Sequence, residues 1–306
     1  MSDETVLIIG SDAPCDMLVQ ALRHQGARPL WLQPEREAEH LPHHALAQGR
    51  LVGGFAHDGA ERDFDQIQGL YLRPFGRPGA RVSVAAQHRQ QQWCQAWSDL
   101  GELFPGMVVN RISAMGSNAS KPYQLRLLAA LGFAVPPSLV SNDPAEVLAF
   151  EAEHGPLIFK SASGVRSIVR ELDVEARGRL DRLRHCPTLF QRRLRGSNVR
   201  VHVVGQEVYA TEIDAEVVDY RYASRQGGHA ELRPTTLEPR TRERCLRASQ
   251  VLGLPFVGLD LMLEEDGQTY CFEANPSPGY SFFEDATGQD ISGALARLLR
   301  GAEALH

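Results

Sequence analysis

The late segment GLDLMLEEDGQTYCFEANPSPGY (258–280) constrains the fold most, because it reads as two strands joined by a tight turn at EEDGQ. A hairpin of that kind brings Asp260 on the first strand close to Glu273 and Asn275 on the second. Strand alternation then puts Glu273 and Asn275, two residues apart, on one face. Hard oxygen donors grouped in this way suit Mg²⁺, which binds through one or two carboxylates and takes further oxygens from substrate phosphates. Two readings of the segment are open: a nucleotide-bound Mg²⁺ site, or a surface hairpin that happens to carry acids.

The rest of the chain is large enough to frame such a site. It has 306 residues, 43% of them hydrophobic, which suffices for a substantial core and more than one domain. A formal net charge of −6 argues against general adhesion to nucleic acid or membranes. The five cysteines (Cys15, Cys94, Cys186, Cys245, Cys271) are scattered without CxxC spacing, which fits unpaired thiols in a reducing compartment. With no signal-like start and no apolar run of bilayer length, the expectation is a soluble cytoplasmic protein.

The opening predicts strand, helix, strand: VLIIG (6–10), PCDMLVQALRHQG (14–26) and RPLWLQ (28–33). That order is typical of α/β folds. The residues GSD after the first strand do not make G-x-G-x-x-G, so a dinucleotide-binding reading is rejected. A further strand is expected in 65–76 and a helix over 84–104, where Trp93, Trp97 and Leu100 fall at core-forming helical spacing.

The middle of the chain supplies cations. Ser120 and Pro122 predict a helix start, which places Lys121 at a helix N-terminus, suited to anions. Lys160 ends the apolar run PLIFK and precedes SASG, a small-residue loop able to approach a ligand closely, although no Walker motif is present. Taken alone, Lys121 reads as an ordinary solvated lysine, and Lys160 by itself does not establish a phosphate clamp. FQRRL, VRVHVVG and EVYATEI then read as successive strands, with Arg200 and His202 alternating against valines and so sharing one face. Arginine is the expected residue for bidentate contact with phosphate or carboxylate.

Over roughly 108–300, the order of NRISAMGSNASKPYQLRLLAALGFAVPPSLVSNDP, FKSASG, FQRRLRGSNVRVHVVG, VGLDL, FEANPSPGY and ATGQDISGALARLL resembles an ATP-grasp ligase of the RimK-like group. The segment KPYQLRLLAALG…PPSLVSNDP is similar more particularly to the graspetide (microviridin-type) peptide maturases. The resemblance implies an α/β (α+β) ATP-grasp fold: a small N-terminal α/β domain (1–107), a central lobe (108–187) and a C-terminal lobe (188–306), the last two clasping ATP.

It also implies roles. Lys121 and Lys160 would bind nucleotide phosphates, and Gln191 with the backbone of Arg192, Arg193 and Leu194 would form the adenine hinge. Arg200 would act as the catalytic contact to the γ-phosphate and acyl-phosphate. Asp260, Glu273 and Asn275 would hold Mg²⁺, and Arg221, in the Gly-bounded segment VVDYRYASRQGG, would meet substrate.

The implied function is an ADP-forming, ATP- and Mg²⁺-dependent carboxylate ligase that couples the activated carboxylate to an amine or hydroxyl. The substrate would be a ribosomal precursor peptide. The alternatives are a small-molecule or amino-acid ligase and a non-catalytic nucleotide-binding regulator. A homodimer is also expected. One departure stands out: Arg192 occupies a position after Gln191 that is usually acidic in these proteins, and Arg193 and Arg195 extend the basic run. That run reads either as a lure for an acidic substrate or as a solvated turn.

Overall fold

The computed structural model describes residues 5–37, 41–73, 83–162, 169–215, 230–264 and 267–301. The run that opens the chain forms β1 (Thr5–Ile9), followed by α1 (Ala13–His24), β2 (Arg28–Leu32) and α2 (Pro34–Glu37). A small antiparallel sheet, β3 (His43–Ala47), β4 (Arg50–His57) and β5 (Ala60–Asp63), precedes β6 (Ile67–Leu72), α3 (Val84–Leu103) and β7 (Met107–Val109). Strands β1, β2, β6 and β7 make a parallel sheet in the order β2-β1-β6-β7.

An uninterrupted apolar strand makes sense only if both of its faces are covered, as in parallel sheets. Val6 and Ile8 pack into one core with α1, while Leu7 and Ile9 pack into another with Trp93, Trp97 and Leu100 of α3. All three of those α3 side chains are fully buried, as their spacing predicts.

The middle region contains α4 (Lys121–Ala130), β8 (Ser138–Ser141), α5 (Pro144–His154), β9 (Leu157–Ser161), β10 (Arg170–Glu171), α6 (Val174–Arg177) and β11 (Thr188–Arg192). Its strands form an antiparallel sheet in the order β10-β9-β11-β8. Leu157, Phe159 and Phe190 face a core completed by Val147 and Phe150 of α5. Alternation turns Ile158, Lys160, Leu189 and Gln191 to the opposite face.

The last region adds β12 (Gly196–Val204), β13 (Glu207–Ala215), β14 (Ala230–Thr235), α7 (Pro239–Leu252), β15 (Phe256–Glu264), β16 (Thr269–Asn275), α8 (Ser281–Thr287) and α9 (Ile291–Leu299). Five antiparallel strands run in the order β14-β13-β12-β15-β16. Val199, Val201, Val203, Leu259 and Leu261 face one core, shared with Cys245 and Ala248 of α7.

The strands do not divide at 107 and 187. β7 carries the first sheet on to Val109, and β11, which begins at Thr188, pairs with β8 and β9 in the second sheet. Tyr280 and α9 also return to the first core, so the N-terminal region is completed by the chain's last elements. Among the described residues, no helix is long and apolar enough to cross a membrane.

Candidate active site

The face of the large sheet that carries polar residues is organised in rows. Register places Thr211, Arg200, Asp260 and Glu273 side by side across β13, β12, β15 and β16. The next row is His202, Gly258 and Asn275. The three oxygen donors and the arginine expected from the sequence therefore meet on three adjacent strands, β12, β15 and β16.

Their common orientation depends on an irregularity in β16. Asp260 stands opposite Glu273, yet Leu261 stands opposite Cys271, so Phe272 is the extra residue of a β-bulge. Without it, Cys271 would share a face with Glu273. With it, Cys271 and Ala274 both lie fully buried in the core beneath the sheet, and Glu273 remains beside Asp260.

Arg200 is 6% exposed, and its Nη1 donates to Asp260 Oδ1 at 2.5 Å. A charge-assisted bond of this kind compensates the burial of the guanidinium. Gly258 makes room for it: a Cβ there would lie 2.8 Å from Arg200 Nη2 and 2.7 Å from Pro278 Cβ. His202 is fully buried between the rings of Phe256 and Phe283. Burial, reinforced by the neighbouring Arg200 charge, holds its pKa well below the usual histidine value. A neutral imidazole thus sits beside the one cation of the row.

The loop after β16 is fastened from several directions. Asn275 Oδ1 accepts the Ser277 N–H at 3.0 Å, closing a turn on itself. Asn110 Nδ2 donates to the carbonyls of Phe256 and Pro276, at 2.6 and 2.5 Å. Arg73, at the end of β6, pairs with Asp12 and donates to Ser277 Oγ at 2.9 Å and the Pro278 carbonyl at 3.1 Å.

Helix α4 joins this face to the central sheet. The Lys121 N–H donates to the Ala162 carbonyl at 3.3 Å, just beyond β9, which carries Lys160. One turn on, Gln124 bonds both backbone groups of Ala274, the residue between Glu273 and Asn275. The first turn of one helix therefore links the segments of both lysines to Glu273 and Asn275. Gln124 was not singled out from the sequence, although its i+3 spacing from Lys121 places the two on one side of the helix.

Gln191 and Arg192 end β11, and Arg193 and Leu194 follow it. Gln191 is completely buried. Arg192 is part-exposed and paired: its Nη2 donates to both carboxylate oxygens of Glu264, at 3.0 and 2.9 Å, and its guanidinium lies 5.6 Å from the Tyr270 ring centroid. Arg193 pairs with Glu171 at 2.9 Å. Both charges have intramolecular partners, although each side chain stays about a third exposed. Leu194 is buried, whereas Arg195 is exposed. Arg221 and its segment, like the Ser163–Gly164 half of the SASG loop, lie outside the described residues.

Among the described residues, no group of three or more His, Cys, Asp or Glu side chains is arranged to hold a metal. Two carboxylates and an amide fit the alternative, a hard cation that completes its shell with phosphate and water oxygens.

An antiparallel sheet bearing a lysine, a second sheet bearing Arg, Asp, Glu and Asn in register, and a helix bridging them define an ATP-grasp enzyme. The chain belongs to the RimK-like ATP-grasp domain family, which matches residues 119–299, and is an ADP-forming carboxylate ligase. It is 31% identical to a probable alpha-L-glutamate ligase of Citrobacter koseri and 30% identical to the ribosomal protein bS6–L-glutamate ligase of Salmonella paratyphi B. Each match extends over 63% of this chain and 67% of the relative.

The likeness to the ATP-grasp ligase PsnB extends end to end. Complexed with a minimal precursor, PsnB superimposes with a TM-score of 0.78 at 26% identity, covering 99% of this chain and 100% of PsnB. With minimal precursor, Mg and ADP, the values are 0.77 and 28%, with 97% and 96% covered. Nucleotide and magnesium use are features of this family.

Proposed function

We propose that this ligase acts on a ribosomally made precursor peptide. It activates side-chain carboxylates with ATP and joins each to a hydroxyl or amine of the same peptide. The observation that carries the site assignment is the junction at α4, where the Lys121 and Ala162 backbones and the Gln124–Ala274 clamp converge. The peptide substrate is supported by end-to-end likeness to PsnB, a ligase complexed with its precursor, whereas the glutamate ligases match only part of the chain.

In this reading Lys121 and Lys160 hold phosphate oxygens at the two ends of the α4 junction. Asp260, Glu273 and Asn275 hold magnesium, which when bound neutralises charge on the transferring phosphoryl group. Arg200 is kept in line by Asp260 and stabilises negative charge on that group and on the acyl-phosphate made from the substrate carboxylate. The amine or hydroxyl then attacks the acyl carbon and phosphate leaves. Since Arg192 and Arg193 are engaged by Glu264 and Glu171, the adenine hinge falls to Gln191 and to the backbone from Arg192 to Leu194. Arg221 is assigned to the substrate on resemblance alone.

The test is incubation with ATP, Mg²⁺ and an acidic precursor peptide encoded beside the enzyme, followed by mass spectrometry. The expected result is loss of one water per bond, with one ADP formed for each. Gain of an amino-acid residue instead would assign the chain to amino-acid ligation, and binding of ATP without any product would leave a nucleotide-binding regulator.

A further inference from the structure

The turn after Asn275 is held by side chains that lie before the ATP-grasp match. Arg73 stands one residue past β6 and Asn110 one residue past β7, at the carboxyl ends of two neighbouring strands of the first sheet. Both precede residue 119, where the family match begins. Asn110 donates to the Pro276 carbonyl, and Nη1 of Arg73 donates to the Ser277 hydroxyl and to the Pro278 carbonyl. The other donors of that guanidinium, Nε and Nη2, engage the Asp12 carboxylate. A planar fork serves acceptors on two sides in this way, which an ammonium does not. The Arg73 side chain is only 12% exposed, and Asp12 compensates its charge. The first sheet therefore fixes the guanidinium, and the guanidinium fixes the turn.

Ser277 connects this contact to the candidate metal site. Its N–H donates to Asn275 Oδ1 at 3.0 Å, so a flipped amide would set two donors against each other. An amide oxygen has two lone pairs, and the one that Ser277 does not use is available to a cation. Groups that hold a metal ligand from behind govern its orientation, and losing one costs about 10–100-fold in metal affinity or activity. Pro278, the second group that Arg73 holds, flanks Gly258 together with Arg200.

We infer that Arg73 is a positioning residue for the magnesium site: it fixes Ser277 and, through Ser277, the oxygen of Asn275. The inference rests on the magnesium-site reading above and adds to it a residue from outside the ATP-grasp match. The N-terminal sheet then contributes to metal binding and not only to packing.

The test measures how far Mg²⁺ tightens the binding of a non-hydrolysable ATP analogue. The full chain is titrated calorimetrically with the analogue, once with Mg²⁺ and once with EDTA in its place. Arg73→Lys keeps a cation beside Asp12 but loses the fork that also reaches Ser277 and Pro278. Ser277→Ala keeps the backbone N–H and removes the hydroxyl that Arg73 holds. Each variant is expected to lower the magnesium gain by about tenfold and to leave the metal-free affinity unchanged. The double variant should lose no more than either single one, because both interrupt the same chain of contacts. A residue that served only the fold would lower both affinities alike.

A magnesium gain unchanged in either variant overturns the inference, and Ser277→Ala decides alone if Arg73→Lys does not fold. Losses that add in the double variant overturn it too. Asn275→Ala tests the underlying reading separately, since it should lose the gain whatever Arg73 does. If Asn275→Ala keeps the full gain, the magnesium-site reading falls and the inference with it. If Asn275→Ala loses the gain while Arg73→Lys and Ser277→Ala keep it, the inference falls alone.

Discussion

Gln124 closes on the peptide groups of Ala274 from both sides: its Nε2 donates to the carbonyl at 2.8 Å, and its Oε1 accepts from the N–H at 3.0 Å. Both bonds are buried, and they hold β16 where its two polar neighbours leave the strand. Replacing Gln124 by Leu leaves two backbone groups unsatisfied at about 1–3 kcal/mol each. The expected loss is roughly 2–6 kcal/mol of unfolding free energy, read as a lowered urea midpoint. An unshifted midpoint would show that α4 does not anchor β16.

Gly258 lies where Arg200 crosses the sheet. Adding a methyl group there forces the guanidinium or Pro278 to move, since neither contact can tolerate a Cβ below 3 Å. Gly258→Ala should keep a native circular dichroism spectrum and lose about 100-fold in kcat, the scale for an ångström of misplacement at a reacting centre. Turnover within twofold of wild type would remove Arg200 from the chemistry.

Glu273→Gln keeps the size of the side chain and removes one of the two charges paired across β15 and β16. ADP release should fall to background while the melting temperature stays near that of the wild type. Mg²⁺ titration in the presence of ATP should show weaker binding as well. If ADP release is undiminished, the metal assignment is wrong.

His202 gives stability a pH dependence of definite sign. Burial, and then the Arg200 charge, depress its folded pKa, whereas the unfolded chain takes up the proton near 6.5. The unfolded state therefore binds more protons below that pH. Stability from this group is full above about 6.5 and declines on acidification, by at most about 1.4 kcal/mol per pH unit. Melting curves between pH 7.5 and 5.5 should fall more steeply for the wild type than for His202→Asn. Parallel curves would mean that the ring is protonated in the fold.

The parts of the molecule legible in the sequence were those governed by local spacing. The buried face of α3, the apolar β1 and the alternation of Arg200 with the valines of β12 all follow from periodicity, and the structure repeats them. The sheet of β3, β4 and β5 gave no such signal, because HHALA is exposed along its whole length and alternates with nothing. The bulge at Phe272 was equally silent, since a register shift is a property of two strands and not of one.

The partners of the basic run after Gln191 were hidden for a related reason. Arg192 finds Glu264 at a separation of 72 residues, and Arg193 finds Glu171 at 22, so neighbouring sequence holds no trace of either partner. Gln124 was missed because a glutamine on a short helix has many ordinary explanations, and only β16 lying against it selects one.

The return of the chain's end to its beginning bears on how the polypeptide is made. Tyr280 donates to the Pro14 carbonyl at 2.5 Å, Gln25 Nε2 donates to the Gly293 carbonyl at 3.0 Å, and a Cβ at Gly69 would collide with the Leu299 carbonyl. As it leaves the ribosome, the opening βαβ unit can assemble its α3 side but must wait until α9 has been made before its other flank is sealed. Translation that stops short of Ile291 therefore yields a product whose earliest strands keep an oily surface in water, a natural target for chaperones and proteases.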